Sequence, residues 1–298
     1  MKKIPIIAIA VGVILVLSLL ALKVKSLTVS KTTPQGRGVP MLMQVSVPVK
    51  SQDVPSTSST SSSSSSFDAL LKSAVALESQ GELVKARDAL RSIMAAYVSS
   101  AGIGDVQKRL EDLNIRIMLS AINLPGETAI REVAAGDSLS MIADEYHTTV
   151  EFIKKQNGLS SDVIRPGQRL RIWTGKFNVL IDKSQNLLVL KSNGEIVKSY
   201  RVSTGKSNIT PVGNFKIVNK LIKPAWTHDG RVIPPESPGN ILGTRWLGFN
   251  IPGYGIHGTT QPESIGRQVT AGCVRMLNNE VEELYDILTV NTEVTVMD

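Results

Sequence analysis

The spacing of apolar residues changes along this chain of 298 residues, and that change limits what it can fold into. From Phe67 the repeat is helical. In "ELVKARDALRSIMAAY" the residues Leu83, Ala86, Leu90, Ile93 and Tyr97 share one stripe, and in "VQKRLEDLNIRI" Val106, Leu110, Leu113 and Ile117 do the same. With "FDALLKSAVALES" ahead of Gly81, three helices are expected over residues 67–122. Beyond Lys176 the repeat falls to two. "FNVLID", "NLLVLK" and "IVKSYRVST" read as strands, the last two joined through Asn193-Gly194, a strong hairpin signal. "GNFKIVNK", "TRWLGFNI" and "TEVTVMD" add three more strands, and "NNEVEELYDIL" is a helix with Asn279 and Glu282 as its expected caps. The chain is therefore multidomain, with a helical part and a β-rich part.

The N-terminus is different again. Ile4 to Leu22 carries no charge, close to the ~20 residues that span a hydrocarbon core. The apolar part of a cleaved signal peptide is usually about 7–15 residues, and no A-x-A site follows. Residues 1–25 are thus expected to be an uncleaved transmembrane anchor. Lys2 and Lys3 are offset by Lys23 and Lys25, so the positive-inside rule does not orient it. Residues 26–66, with Pro34, Pro40, Pro48, Pro55 and the run "STSSTSSSSSS", read as a disordered spacer. The helical part that follows contains "ALESQGELVKARDAL", which resembles one tetratricopeptide unit. One unit cannot bury its own face, so a helical spacer or a docking hairpin for a protein partner is expected.

Between these parts lies "IREVAAGDSLSMIADEYHTTVEFIKKQNGLSSDVIRPGQRLRIW". It divides into strand, helix, helix, strand. Asp137 is the expected cap of the first helix and Thr148 with Glu151 the capping box of the second, which ends at Asn157-Gly158. Leu139, Ile142 and Tyr146 face one way, as do Val150, Ile153 and the stem of Lys154. Residues 128–174 closely resemble a LysM module through "GDSL", "NGL" and "IRPGQRLRI". That resemblance implies binding to N-acetylglucosamine-containing glycan, in a groove between Asp137, Ser138, Leu139 and Ile164, Arg165, Pro166. The same residues also have structural readings: Asp137 as a cap, Leu139 as core, Pro166-Gly167 as a turn.

Charge and cysteine content narrow the chemistry. Thirty-three basic residues against 26 acidic ones give +7, but no dense basic helix or RNA-binding signature goes with them, so nucleic acid is not an expected partner. The single cysteine excludes an internal disulfide and any multi-cysteine metal site. It is Cys273, in "VTAGCVRM". Of three histidines, His147 falls in the glycan-type module and His228 in a Gly/Pro-rich loop. His257, in "GYGIHGTT", ends a strand sixteen positions before Cys273. A base or positive charge near a thiol raises its thiolate fraction. Arg275 supplies the charge on the same strand face as the thiol, and Gly272 lets a substrate carbonyl approach the backbone.

"GIHGTTQPESIGRQVTAGCVRM" resembles the active-site segment of L,D-transpeptidases of the YkuD type, and "TPVGNFKIVNK" and "PGNILGTRWLGF" resemble other stretches of that domain. The resemblance covers residues 176–298 and implies a YkuD-like β-sandwich with a short helix. It implies Cys273 as nucleophile and His257 as general base. It also implies that the Thr270 carbonyl orients the imidazole, that Gly272 and the Cys273 amide form an oxyanion hole, and that Arg275 assists substrate or oxyanion. Ala271 stands where many relatives have His, and Arg275 where they often have Asn, so detailed substrate models from that branch do not transfer. The expected activity is 3→3 cross-linking of peptidoglycan, or attachment of partners to its stem peptides, through a cysteine thioester and with no cofactor or metal. A hydrolytic L,D-carboxypeptidase and a non-catalytic wall-binding scaffold are the alternatives. The expected location is the bacterial cell envelope, with the catalytic domain outside the cytoplasm.

Overall fold

The computed structural model describes residues 60–298. The expected anchor and most of the spacer lie outside the described residues. Among those described, no helix is long and apolar enough to cross a membrane. They divide into two compact units, one ending at Gln107 and one beginning at Lys108.

The first unit is helical. Helix α1 (Thr60–Ser79) and α2 (Leu83–Ala96) are joined at Gly81, whose φ of +79° a side-chain-bearing residue rarely adopts. Ala86, Leu90 and Ile93 of the expected stripe are buried, and Phe67 meets Tyr97 edge-on at 5.6 Å. Residues 60–66 of the expected disordered spacer belong to α1. Serine costs only a few tenths of a kcal/mol per residue in a helix, and extending α1 toward its N-terminus needs no second nucleation. Helix α3 (Ile103–Met118) begins in this unit, and its remainder belongs to the second.

In the second unit the βααβ module forms as expected. Strands β1 (Thr128–Glu132) and β2 (Arg169–Trp173) pair antiparallel around α4 (Leu139–Glu145) and α5 (Val150–Asn157). Leu139, Ile142, Ile153, Leu170 and Ile172 make its core. Both caps sit one residue beyond their expected places. Ser138 accepts from the Met141 amide, because Asp137 is held elsewhere by the Ala134 amide (2.7 Å) and by Arg131 (3.2 Å). Thr149, not Thr148, accepts from the Phe152 amide and caps α5, so the Thr148–Glu151 box does not form. Gly158 ends α5 in the left-handed region.

The β-rich part contains β3 (Phe177–Asp182), β4 (Leu187–Ser192), β5 (Glu195–Arg201), β6 (Thr204–Gly205), β7 (Gly213–Ile222), β8 (Trp226–His228), β9 (Arg231–Ile233), β10 (Arg245–Phe249), β11 (Gly255–His257), β12 (Gln268–Thr270), β13 (Val274–Arg275) and β14 (Glu293–Met297), with α6 (Asn278–Ile287) between the last two. Eight strands are hydrogen-bonded in the order β13-β11-β10-β7-β14-β3-β4-β5. The expected sandwich is thus continuous in its hydrogen bonding. The long β7 gives its first residues to β14 and its last ones to β10. Helix α6 lacks the caps expected from Asn279 and Glu282. Its N-cap is Leu277, which makes no side-chain bond, and the neighbouring Asn278 amide is committed to the loops around β10 and β11.

Candidate functional site

Two short strands build the site. β11 and β13 run parallel, with Ile256 opposite Val274 and His257 opposite Arg275. Ladder partners share a sheet face, so His257 and Arg275 lie side by side; Cys273 sits in the bend just before β13, and the Arg275 charge acts on both the imidazole and the thiol. Two ladder steps close the fifteen residues of chain that separate His257 from Cys273. Val274 and Ile256, on the other face, are fully buried and hold the pair of strands in the core.

His257 is buried, and its ring stacks on Trp246 at 6.1 Å. Nδ1 lies 2.7 Å from the Gly258 carbonyl. A carbonyl only accepts, so Nδ1 carries the proton and Nε2 is the basic nitrogen of the neutral ring. The orienting carbonyl is therefore that of Gly258, not that of Thr270 as the resemblance implied. Burial drives the imidazole pKa down to about 4; the Gly258 carbonyl works against this, Arg275 adds to it, and the Leu242 carbonyl opposes it.

Thr270 has another job. Its hydroxyl donates to the Cys273 carbonyl (2.6 Å) and accepts from the Gly272 amide (3.2 Å), clamping the turn that presents the thiol. That bond occupies the Gly272 amide, so it does not point into an oxyanion hole. Gly272 has φ +122°, and a Cβ there would lie 2.6 Å from the Tyr254 ring. The glycine makes room for Tyr254 rather than for a substrate carbonyl.

The thiol is partly exposed and donates to the Gly253 carbonyl at 3.2 Å. Burial pushes it up to about 11, against the opposing pull of the Gly255 amide and the Arg275 charge. At neutral pH the resting pair is therefore thiol and neutral imidazole, not the activated thiolate that a nearby positive charge alone would favour. Arg275 is 5% exposed; its Nη1 donates to Gln261 (3.1 Å) and Ser264 (3.0 Å), while its Nε has no partner among the described residues. Burial lowers its pKa. A buried cation held by neutral groups keeps its charge available to a developing anion.

Tyr254, Gly253, Trp246, Ser264 and Asn278 were not singled out from the sequence. Only the small residues of "GYG" ahead of His257 hinted at close packing there. Asn278 is the best satisfied of them: its Oδ1 accepts from the amides of Thr244 (3.2 Å) and Thr259 (3.0 Å), and its Nδ2 donates to the Thr259 carbonyl (2.9 Å). A Cβ on Gly258 would lie 2.2 Å from that Oδ1. Of the other histidines, His228 stacks on Trp226 in the β8–β9 hairpin and is more than half exposed.

In the βααβ module the six expected glycan contacts divide. The Val133 backbone pairs with Gly167 and Gln168, which brings the Asp137 loop and the Ile164–Pro166 turn to one end of the module. Arg165 and Pro166 are exposed there, and Ile164 packs partly against the core. Leu139 is 2% exposed and is core; Asp137 and Ser138 are tied into the loop and the cap.

Residues 176–296 match the family model for the L,D-transpeptidase catalytic domain (YkuD), and residues 132–173 match that for the LysM domain. YqjB of Bacillus subtilis (strain 168), named as a candidate L,D-transpeptidase, is 38% identical over 126 residues, which cover 40% of this chain and 70% of that protein. YkuD of the same strain, named likewise, is 30% identical over 172 residues, covering 55% of this chain and 96% of YkuD. Among solved structures, an L,D-transpeptidase from Mycobacterium smegmatis is similar at 19% identity and a TM-score of 0.36, covering 44% of this chain and 64% of that one.

Proposed function

Because the chain belongs to the YkuD family of L,D-transpeptidases, with a LysM domain ahead of the catalytic one, we propose that it makes 3→3 cross-links in peptidoglycan, or joins partners to its stems, through a thioester on Cys273. The observation that supports this reading is the β11–β13 pairing, which brings Arg275, two residues after Cys273, beside His257.

Substrate binding removes water from the thiol. Cys273 Sγ attacks the carbonyl between the third stem residue, an L-centre, and the terminal D-Ala, while His257 Nε2 takes the thiol proton. With the thiol near 11 and the imidazole near 4, that transfer is uphill in the resting site and belongs to the attack itself. The developing oxyanion is met by the Cys273 amide and the Arg275 charge, since the Gly272 amide is engaged. The C–N bond to D-Ala breaks as imidazolium returns its proton to the leaving amine. A stem amine then attacks the thioester, His257 takes its proton, and Sγ leaves as the thiol. Splitting one hard acyl transfer into two easier steps is what the covalent route supplies. Thr270 holds the nucleophile turn, and the Gly258 carbonyl holds the tautomer.

Two wall-directed domains in one chain support a location in the cell envelope; the uncleaved anchor at residues 1–25 and the outward-facing catalytic domain are part of the same proposal. The LysM domain, through Arg165, Pro166 and Ile164, would hold the glycan strand. The test is intact-protein mass after mixing with a tetrapeptide stem and no acceptor. An adduct on Cys273 with release of D-Ala is expected, and addition of an acceptor stem should give dimers. Tripeptide alone would make it a carboxypeptidase, and turnover that survives Cys273→Ala would overturn the thioester.

A further inference from the structure

The LysM domain and the catalytic domain are packed within one unit rather than strung on a linker. Three sets of contacts join them. Phe152 of α5 meets Phe177 of β3 edge-on at 5.9 Å, and Trp173 stacks on Phe177 at 6.4 Å while its Nε1 donates to Ser192 of β4 (3.1 Å). Lys155 of α5 pairs with Asp286 of α6 at 2.5 Å. The Thr149 hydroxyl, which caps α5, also donates to the Asp286 carbonyl. Phe152 is fully buried and Trp173 nearly so, so the contact excludes water and is more than a surface ion pair.

Helix α6 belongs to both sides of this junction. Its ten residues make a rod of about 15 Å. At the N-terminal end Asn278 grips Thr259 and Thr244, the residues that follow Gly258 and Gly243, and Gly258 supplies the carbonyl that orients His257. At the C-terminal end Asp286 receives the LysM domain, and the Lys220 ammonium donates to the carbonyls of Tyr285 (2.6 Å) and Leu288 (2.7 Å), closing the helix end. One short, well-terminated helix therefore runs from the support of the catalytic base to the seat of the glycan module.

We propose that this junction makes the two domains a single bipartite site, so that the enzyme's true substrate is a stem peptide carried on a glycan strand held in fixed register, not a free stem or a small muropeptide. The proposal rests on the transpeptidase reading above. A strand seated on the LysM domain presents its stems at a distance set by α6, which turns an encounter between two molecules into a positioned one. Positioning of this kind acts on polymer only. Soluble stems gain nothing from it.

The test uses the whole chain and compares acylation of Cys273 by polymeric, uncrosslinked glycan strands bearing tetrapeptides with acylation by the free tetrapeptide. Wild type should prefer the polymer by tenfold or more per stem. Lys155→Glu should lower that preference severalfold while leaving free-tetrapeptide acylation within about twofold, and adding Asp286→Lys should restore it. Phe152→Ala, combined with a Gly-Ser insertion after Thr174, should abolish the preference yet still sediment with the polymer, which separates undocking from loss of glycan binding. Wild type that acylates both substrates equally, or a Lys155→Glu variant whose two rates fall together without rescue, overturns the fixed-register proposal alone. Wild type that acylates with neither substrate overturns the transpeptidase reading and this proposal with it.

Discussion

The LysM domain and the β11–β13 ladder each brought candidate residues from the sequence, and the structure treats the two groups differently. In the LysM domain the candidates come as two runs of three, and the first run serves locally: Leu139 in the core, Ser138 as a cap, Asp137 as a loop brace. At the ladder, His257 and Arg275 are buried polar residues whose partners, the Gly258 carbonyl, Gln261 and Ser264, are all neutral. Together with Cys273 they come from two segments joined by the β11–β13 pairing, and Arg275 makes no salt bridge among the described residues. Residues that neighbour each other in sequence are explained by turns and caps; a buried cation and an imidazole brought near a thiol from another segment call for a further explanation. The proposed acyl transfer supplies it.

That contrast breaks most visibly if the ladder residues prove structural. Cys273→Ala should abolish acyl transfer with an unchanged circular dichroism spectrum and melting point, because the thiol is only partly buried and makes one weak hydrogen bond. His257→Ala should lower kcat/KM for acylation by about 10²–10⁴-fold, and Arg275→Ala by roughly 10²–10³-fold if its charge meets the oxyanion. A melting point that falls in Cys273→Ala while activity persists would make the ladder a core feature like Leu139. Leu139→Ala is the counterpart. It should cost about 2–5 kcal/mol of stability, and any loss of glycan retention should follow unfolding.

Much of this was legible in the sequence and some was not, for physical reasons. Strand and helix positions followed from apolar periodicity, so "FNVLID" and "NLLVLK" fell where β3 and β4 are. Cap positions slipped by one residue, because Asp137-Ser138 and Thr148-Thr149 each offer two eligible side chains and tertiary partners choose between them. Asn278 was missed because its three bonds go to residues 19 and 34 positions away. The reversed job of Gly272 was missed because Tyr254, which fills the space above it, lies eighteen residues earlier. The pKa values were out of reach altogether. A cationic neighbour argues for a thiolate, but the desolvation that outweighs it is a property of packing.

The resting thiol can be tested directly. Alkylation of Cys273 by iodoacetamide without substrate should keep rising with pH toward about 11 instead of levelling off near neutrality. An early plateau would mean a preformed ion pair. The histidine gives a matching signal in stability. The unfolded chain binds a proton below the ordinary value of 6.5, and the folded ring only below about 4. Between those values the unfolded state holds more protons, so stability falls as the pH drops through that window. The loss attributable to His257 should approach about 3 kcal/mol by pH 4. Urea melts at pH 7 and pH 4.5 should show it, and His257→Gln should remove this part of the difference.

The smallest expected effect separates the two threonines of the LysM domain. Thr149 caps α5 and also reaches the Asp286 carbonyl. Replacing it by valine keeps the shape but strips both bonds, and a lost cap alone costs about 0.5–2 kcal/mol. Thr148 has an Oγ1 that is buried and without a hydrogen-bond partner among the described residues. Valine there removes a hydroxyl that is desolvated and unpaired, so stability should be unchanged or rise by up to roughly 1 kcal/mol. The two residues are adjacent, β-branched and identical in composition, so propensity cancels between them. Chemical denaturation of the two variants side by side therefore reads only the hydrogen bonding. If Thr148→Val proves the costlier, the cap belongs where sequence reasoning put it, and the docking of α5 on α6 through Thr149 loses its support.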